Sequence, residues 1–256
     1  MTYRGALGQL RWGPKGGSGQ AAVYDLSGKE RRQFSRMVRT GERNAQAIRL
    51  AVAPQAPSSR AVAQAASVLR TGGLVAFPTD TLYALGADAS NPLAIERLFA
   101  AKGRSRRSPI PLLVADLMMA IQLVGELPDA AIRLATRYWP GPLTLVLWAP
   151  RGVCTLLTAG TGRIGLRVPD AAVALALIRH FGSPVTGTSA NRSGGKDPLD
   201  ADEVLRQLGD RVDLVLDEGP VAGGSSSTVV DVTISPPVIV RQGPIRQEEI
   251  LSLLER

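Results

Sequence analysis

Lys102-Gly103-Arg104, followed at once by Arg106 and Arg107, places four cations within six residues just past a helical pattern. A lysine and an arginine two residues apart can hold adjacent phosphates, the lysine as a point charge and the arginine as a planar fork. Taken alone, the run reads equally well as a solvated loop. Upstream, the apolar run Leu74-Val75-Ala76-Phe77 leads directly into Pro78-Thr79-Asp80-Thr81. Hydroxyls at the C-terminal end of a buried strand, faced by fixed cations, suit a small anionic ligand. Open α/β sheets bind ligands in that place. Two more hydroxyl clusters recur at strand ends. Thr188-Ser189-Ala190-Asn191 follows a very short strand pattern, where such a turn can bind a phosphate or a ribose or simply close as an Asx-type turn. Ser225-Ser226-Ser227-Thr228 enters the strand Val229-Val230-Asp231, and Arg167 and Arg241 each end a strand before a Pro- or Gly-containing turn. Singly, such arginines are surface ion-pair partners more often than ligands. Their recurrence at strand ends points to one site.

The residues absent from the chain exclude several chemistries. One histidine, His180, and one cysteine, Cys154, cannot build a His/Cys metal site and give little basis for a Ser-His-Asp hydrolase. His180 reads as a structural or surface residue. No G-x-x-x-x-G-K-[ST] loop is present, and Gly160-Thr161-Gly162 is too short for a dinucleotide fingerprint. Aromatic residues make up only 4% of the chain, so stacking surfaces for single-stranded nucleic acid would be sparse. No apolar run reaches the ~18 residues of a membrane span. A lone cysteine fits a reducing compartment. The net charge of +8 is unevenly placed: residues 1–58 hold ten Lys/Arg and three Asp/Glu, a balance of +7, and the remaining 198 residues contribute +1. The body is therefore close to neutral, and whole-chain charge does not make it a nucleic-acid binder.

The elements that must position these groups follow from periodicity and punctuation. Residues 1–45, Gly-rich and basic, read as a largely disordered extension, with a short helix over Gly28–Arg43 capped by Ser27. The competing readings of this segment are a basic arm for tRNA and an organelle presequence. Residues 46–256 read as one α/β domain. Strands are predicted at Ile48–Val52, Leu74–Phe77, Ile110–Val114, Leu143–Leu147, Ile164–Val168, Pro184–Thr186 and Leu214–Leu216, with Val229–Val232 and Val238–Val240 as a closing pair. Helices are predicted from Ser58 or Ser59 to Arg70, where Gly72-Gly73 ends the turn, and over Leu93–Ala101, Leu117–Val124, Asp129–Tyr138, Ala171–Phe181, Asp200–Leu208 and Arg246–Leu254. Early alternation with strands clustered late favours a twisted mixed β-sheet with flanking helices.

In chain order, FPTDTLYALGADA, AKGRSRRSPIPLLV, WPGPLTLVL, RIGLRVPD, TGTSANRSG, SSTVVDVT and VIVRQGPI resemble the motifs of the YrdC-like threonylcarbamoyl-AMP synthase family, over roughly Ile48 to the C-terminus. Each motif is weak alone; the ordered set is specific. The resemblance implies a YrdC-like fold with a concave ligand pocket. It also implies a nucleotidyltransferase joining L-threonine, bicarbonate or CO2 and ATP into threonylcarbamoyl-AMP and pyrophosphate, with Mg2+ on the ATP. A downstream tRNA threonylcarbamoyl-transferase complex would then modify the adenosine beside the anticodon. By position, Lys102, Arg104, Ser189, Asn191 and Arg241 would bind ATP, Lys102 and Arg104 being the catalytic pair. Thr79, Arg167 and Ser227 would bind threonine, with Thr81 beside them. No metal ligand is expected from the protein and no membrane contact; weak tRNA binding would fall to residues 1–45. The location implied is bacterial cytoplasm, or mitochondria if that segment is a presequence. Where the family has glycine this chain has Ala84, which a positive φ would strain, and Arg163 stands where a small polar residue is common. The chain reads as the short form, without an extra C-terminal domain. Two other readings remain: a carbamoyl-adenylate domain like that of hydrogenase-maturation carbamoyltransferases, and a non-catalytic RNA-binding or ribosome-maturation protein.

Overall fold

Alternation of side chains along a strand sends successive residues to opposite faces, and a strand buried on both sides must be apolar throughout. Val75–Phe77 (β2) meets that requirement, and a computed structural model, which describes residues 46–255, shows how. Leu74 and Ala76 join a large core while Val75 and Phe77 join a second, smaller one on the opposite face. The chain runs Ile48–Ala51 (β1), Ser59–Arg70 (α1), β2, Ala84–Gly86 (β3), Pro92–Lys102 (α2), Leu112–Leu113 (β4), Leu117–Val124 (α3), Asp129–Tyr138 (α4), Leu143–Trp148 (β5) and Thr155–Thr158 (α5). It continues through Arg163–Arg167 (β6), Ala172–Phe181 (α6), Val185–Thr186 (β7), Thr188–Ser189 (β8), Ala201–Leu208 (α7), Leu214–Asp217 (β9), Thr228–Asp231 (β10), Val238–Arg241 (β11) and Gln247–Leu254 (α8).

The mixed α/β character is as the pattern predicts, with the strands shared between two sheets. One sheet has the order β1-β9-β2-β3-β8 and the other β11-β10-β5-β6-β4-β7. In the first, β9 lies parallel to β1 and β2, and β3 runs antiparallel to β2 and β8. In the second, β5 is parallel to β10 and antiparallel to β6, and β4 is parallel to β6. An isolated bridge between Asp88 and Val185 links the two. The larger core gathers Ile95, Leu98 and Phe99 of α2 with Leu85, Leu112, Leu145 and Leu166. The smaller one seats α1 and α6 on the other face, through Leu69, Leu177 and Ile178.

Local chemistry sets the ends of α2. Asn91 accepts from the Leu93 and Ala94 backbone N–H groups, Pro92 opens the first turn, and Gly103 closes the last at φ 61°. That left-handed residue is what frees Arg104 to leave the helix while Lys102 stays inside it. Ser58 stands at the N-cap position of α1 but makes no capping hydrogen bond there. Three short elements fall where no strand or helix is predicted: β3, β8 and α5. The loop after Phe77 is thereby the turn of a β2–β3 hairpin. Ala84 is paired with Phe77 and Ser189 in extended conformation, so the strain anticipated for it does not arise; Ala159 is the one non-glycine at positive φ among the described residues. The helix predicted over Gly28–Arg43 and the disorder predicted for residues 1–45 lie outside the described residues.

Candidate functional site

Three groups of side chains meet where strands of both sheets end. The first is the β2–β3 turn. Thr79 Oγ1 donates to the Leu82 carbonyl (2.6 Å) and receives the N–H groups of Thr81 and Leu82 (3.2 Å each), which locks the turn. Its proton being used, the 3.0 Å contact with Thr81 Oγ1 has Thr81 as donor. Thr81 Oγ1 in turn accepts from Arg167 Nη1 (2.9 Å), so a single directed chain runs from the guanidinium to the turn. Arg167 ends β6, donates through Nε to the Gly141 carbonyl (2.9 Å) and pairs through Nη2 with Asp80 Oδ1. The Trp139-Pro140-Gly141-Pro142 turn presents that carbonyl. A Cβ at Gly141 would sit 2.6 Å from the Tyr138 carbonyl oxygen, so only glycine allows so close a fold.

The second group is built around Lys102. Its ammonium, 2% exposed, donates to the Ser189 carbonyl, the Asn191 carbonyl (2.7 Å) and Asn191 Oδ1 (3.1 Å). Ser189 Oγ donates to the same Oδ1 (2.7 Å), while the Asn191 amide donates to the carbonyls of Gly195 (2.9 Å) and Lys196 (3.2 Å). All three lysine donors are thus spent on one turn. The third group is Arg241 at the end of β11, forked onto the Ser227 carbonyl (3.1 and 2.8 Å) and touching Ser227 Oγ (3.2 Å), which shares a 2.8 Å contact with Thr144.

Arg104 joins the groups. It is anchored by the Ser108 carbonyl (3.2 Å) and the Pro109 carbonyl (2.8 Å). Burial lowers its pKa, and repulsion from Arg241 lowers it further. Burial lowers Arg167 too, against the pull of Asp80 and with a further push from Arg241. Burial and Arg104 push Lys102 down to about 7, and burial lowers Arg241, with Asp197 pulling against both shifts. Charges that shift one another in this way stand close together, from the buried Lys102 and Arg167 through the half-buried Arg104 to the exposed Arg241. Arg104, Arg167 and Arg241 stand there against Asp80 and Asp197, three cations to two carboxylates, and Lys102 adds a further positive charge whenever it is protonated. Such a site attracts a polyanion, most strongly at its buried end, where water screens least.

All eight sequence-predicted residues therefore fall in this region. Thr79 and Lys102, however, point their hydrogen-bonding atoms at the protein's own turns. Asp80, Asp197 and the Gly141 carbonyl escaped the sequence reading. Of these, Asp80 carried the only visible signal, a carboxylate between two threonines at a strand end. Arg163, the other departure noted above, lies at the far end of β6 from Arg167. It pairs with Asp231 (2.7 Å) and stacks over Trp148, clear of the site. His180 is exposed, as expected.

A family model named Sua5_yciO_yrdC, described as "Telomere recombination", matches residues 67–243. The threonylcarbamoyl-AMP synthase of Bacillus subtilis is 40% identical over 194 residues, covering 75% of this chain and 56% of that protein, so the chain spans just over half its length. A putative threonylcarbamoyl-AMP synthase of Mycobacterium tuberculosis is 39% identical over 196 residues and is covered to 90%. Among solved structures, Pyrococcus abyssi Sua5 complexed with L-threonine matches with a TM-score of 0.77 at 37% identity, over 80% of this chain and 60% of that one. Fold, site motifs and family match agree: the chain belongs to the Sua5/YciO/YrdC family.

Proposed function

We propose that residues 46–256 form a threonylcarbamoyl-AMP synthase. The observation that carries this reading is the convergence of Lys102, Arg104, Arg167 and Arg241, the lysine and Arg167 buried and the other two open to solvent, on one under-neutralised region beside hydroxyls. Relatives named threonylcarbamoyl-AMP synthase and a relative's complex with L-threonine support it. In this reading Arg104 and Arg241 bind the ATP phosphates, and Ser189 and Asn191, braced by Lys102, complete the nucleotide site. Arg167 takes the threonine carboxylate between the turn holding Thr79 and Thr81 and the strand start holding Ser227. The threonine amine adds CO2 with loss of a proton, or bicarbonate with loss of water, to give a carbamate. A carbamate oxygen then attacks the α-phosphorus, and the bond to the β,γ-pyrophosphate breaks. That step requires alignment and charge neutralisation more than a protein nucleophile, which suits a site of cations and hydroxyls.

Magnesium enters as part of the substrate MgATP. Among the described residues no three His, Cys, Asp or Glu side chains cluster to hold a metal, and Asp80 is already committed to Arg167. In this reading phosphate oxygens and water hold the ion, as magnesium prefers. Among the described residues no helix is long and apolar enough to cross a membrane; a cytoplasmic location and a downstream tRNA-modifying transferase belong to the proposal.

Pyrophosphate release should require threonine, bicarbonate and ATP together, each omitted in turn. Turnover that persists without threonine would rule the assignment out. The wall between the threonine turn and the Ser225–Ser227 loop is tight: a Cβ on Gly223 would lie 1.9 Å from the Thr81 carbonyl oxygen, whereas one on Gly224 meets nothing within 4 Å. Gly223→Ala should therefore raise the threonine KM by about tenfold or more through displacement of the turn, with Gly224→Ala near wild type. Threonine titrations of the two variants make the comparison, and equal behaviour would contradict it.

A further inference from the structure

The turn that carries Ser189 and Asn191 is gripped from both sides. Lys102 holds its inner side. On its outer side stands Gln207, half-buried on α7 and hydrogen-bonded to none of the eight predicted site residues. Gln207 Oε1 accepts from the Arg192 N–H (3.1 Å), and Nε2 donates to the Lys196 carbonyl (2.7 Å) and to Glu203 Oε1 (2.7 Å). The Lys196 carbonyl is also an acceptor for the Asn191 amide (3.2 Å), whose Oδ1 receives Ser189 Oγ and Lys102 Nζ. A continuous hydrogen-bonded path therefore runs from α7 to the proposed nucleotide side of the site. Its orientation is forced: the carbonyl end of Gln207 faces a donor and its amide end faces two acceptors.

We propose that Gln207 is a positioning residue for the nucleotide: by fixing the Lys196 carbonyl it aims the Asn191 amide, and through it Ser189 and Lys102. The proposal rests on the assignment of Ser189 and Asn191 to ATP. It distinguishes ATP from threonine, because nothing in the path touches Arg167 or the Thr79–Thr81 turn. Gly195 offers a second way to break the grip without altering α7. Its φ is not positive, so the backbone conformation admits alanine; an added Cβ would lie 2.2 Å from Gln207 Oε1, pushing that side chain away, and 3.0 Å from the Arg192 carbonyl oxygen, pressing on the turn as well.

The test is calorimetric titration of the full chain with MgATP and, separately, with threonine. Loss of the hydrogen bonds that fix the turn predicts about tenfold weaker MgATP binding in Gln207→Met and in Gly195→Ala, with threonine affinity unchanged. In an Asn191→Ala background, Gln207→Met should add no further loss, since both act through one amide. Wild-type MgATP affinity in both variants, an equal loss for threonine, or full additivity with Asn191→Ala would overturn the role given to Gln207. Wild-type protein that binds threonine but no MgATP would overturn the nucleotide assignment itself, and the role of Gln207 with it. If Gln207→Met does not fold, Gly195→Ala decides.

Discussion

Arg167→Met should lower threonine-dependent turnover by about a thousandfold or more and cost about 3–5 kcal/mol of stability, as removal of one partner from a buried ion pair does. The Arg167 and Asp80 side chains are only 7% and 15% exposed, and Asp80 Oδ2 already has no hydrogen-bond partner. Without the guanidinium, Asp80 is left as a buried charge facing nothing but the Asp170 N–H (3.1 Å). Three of the five guanidinium protons are committed, to Gly141, Thr81 and Asp80, leaving two with which to take a carboxylate. The two losses can be separated. Arg167→Met combined with Asp80→Leu removes the orphan charge, so most of the stability should return while turnover stays absent. Urea unfolding and pyrophosphate release on the three proteins measure this. Turnover restored in the double variant would show that Arg167 is a structural residue only.

Lys102→Met should reduce turnover by about a hundredfold and remove a specific pH dependence. The Lys102 ammonium titrates near 7 in the folded protein against 10.5 ordinarily. Between those values the unfolded chain binds a proton that the folded chain has released, so this group makes stability rise with pH across that window. Below about pH 7 the full cost of burying the charge is present. ATP favours the charged form, and binding above pH 7 must therefore draw a proton in. Affinity for MgATP should fall by up to about tenfold per unit as pH rises from 7. The geometry agrees: a neutral amine has two protons for the three oxygens around Nζ, so the Ser189–Asn191 turn loosens as the proton leaves. Calorimetry between pH 7 and 9 should show the slope in wild type and a flat, weak response in Lys102→Met. Equal slopes would assign the dependence to another group.

Much of this arrangement was legible before any coordinates. Strands with two apolar faces, such as β2 and β9, and helices with side-chain caps, such as Asn91 and Asp200, declare themselves because burial and capping act locally. The missed strands did not. Ala84-Leu85-Gly86 has weak β propensity and no alternation, and Thr188-Ser189 is two residues long; both exist because neighbours pair with them. The division into two sheets was hidden for the same reason, since pairing partners are far apart in sequence. Within the site, the cations were visible as types and spacings. What could not be read was direction: that Lys102 faces a turn, that Arg167 leans on Asp80, and that Gln207 grips the loop from outside, each joining residues more than ten apart in the chain.

The central claim is that one cationic cleft holds a nucleotide beside an amino acid. A crystal structure with L-threonine and a non-hydrolysable ATP analogue tests it most directly. The account predicts phosphate oxygens within hydrogen-bond reach of Arg104 and Arg241 and the threonine carboxylate on the two free Arg167 protons, in a single continuous cavity. Phosphates bound away from both arginines, or threonine seated where Arg167 cannot reach it, would contradict it.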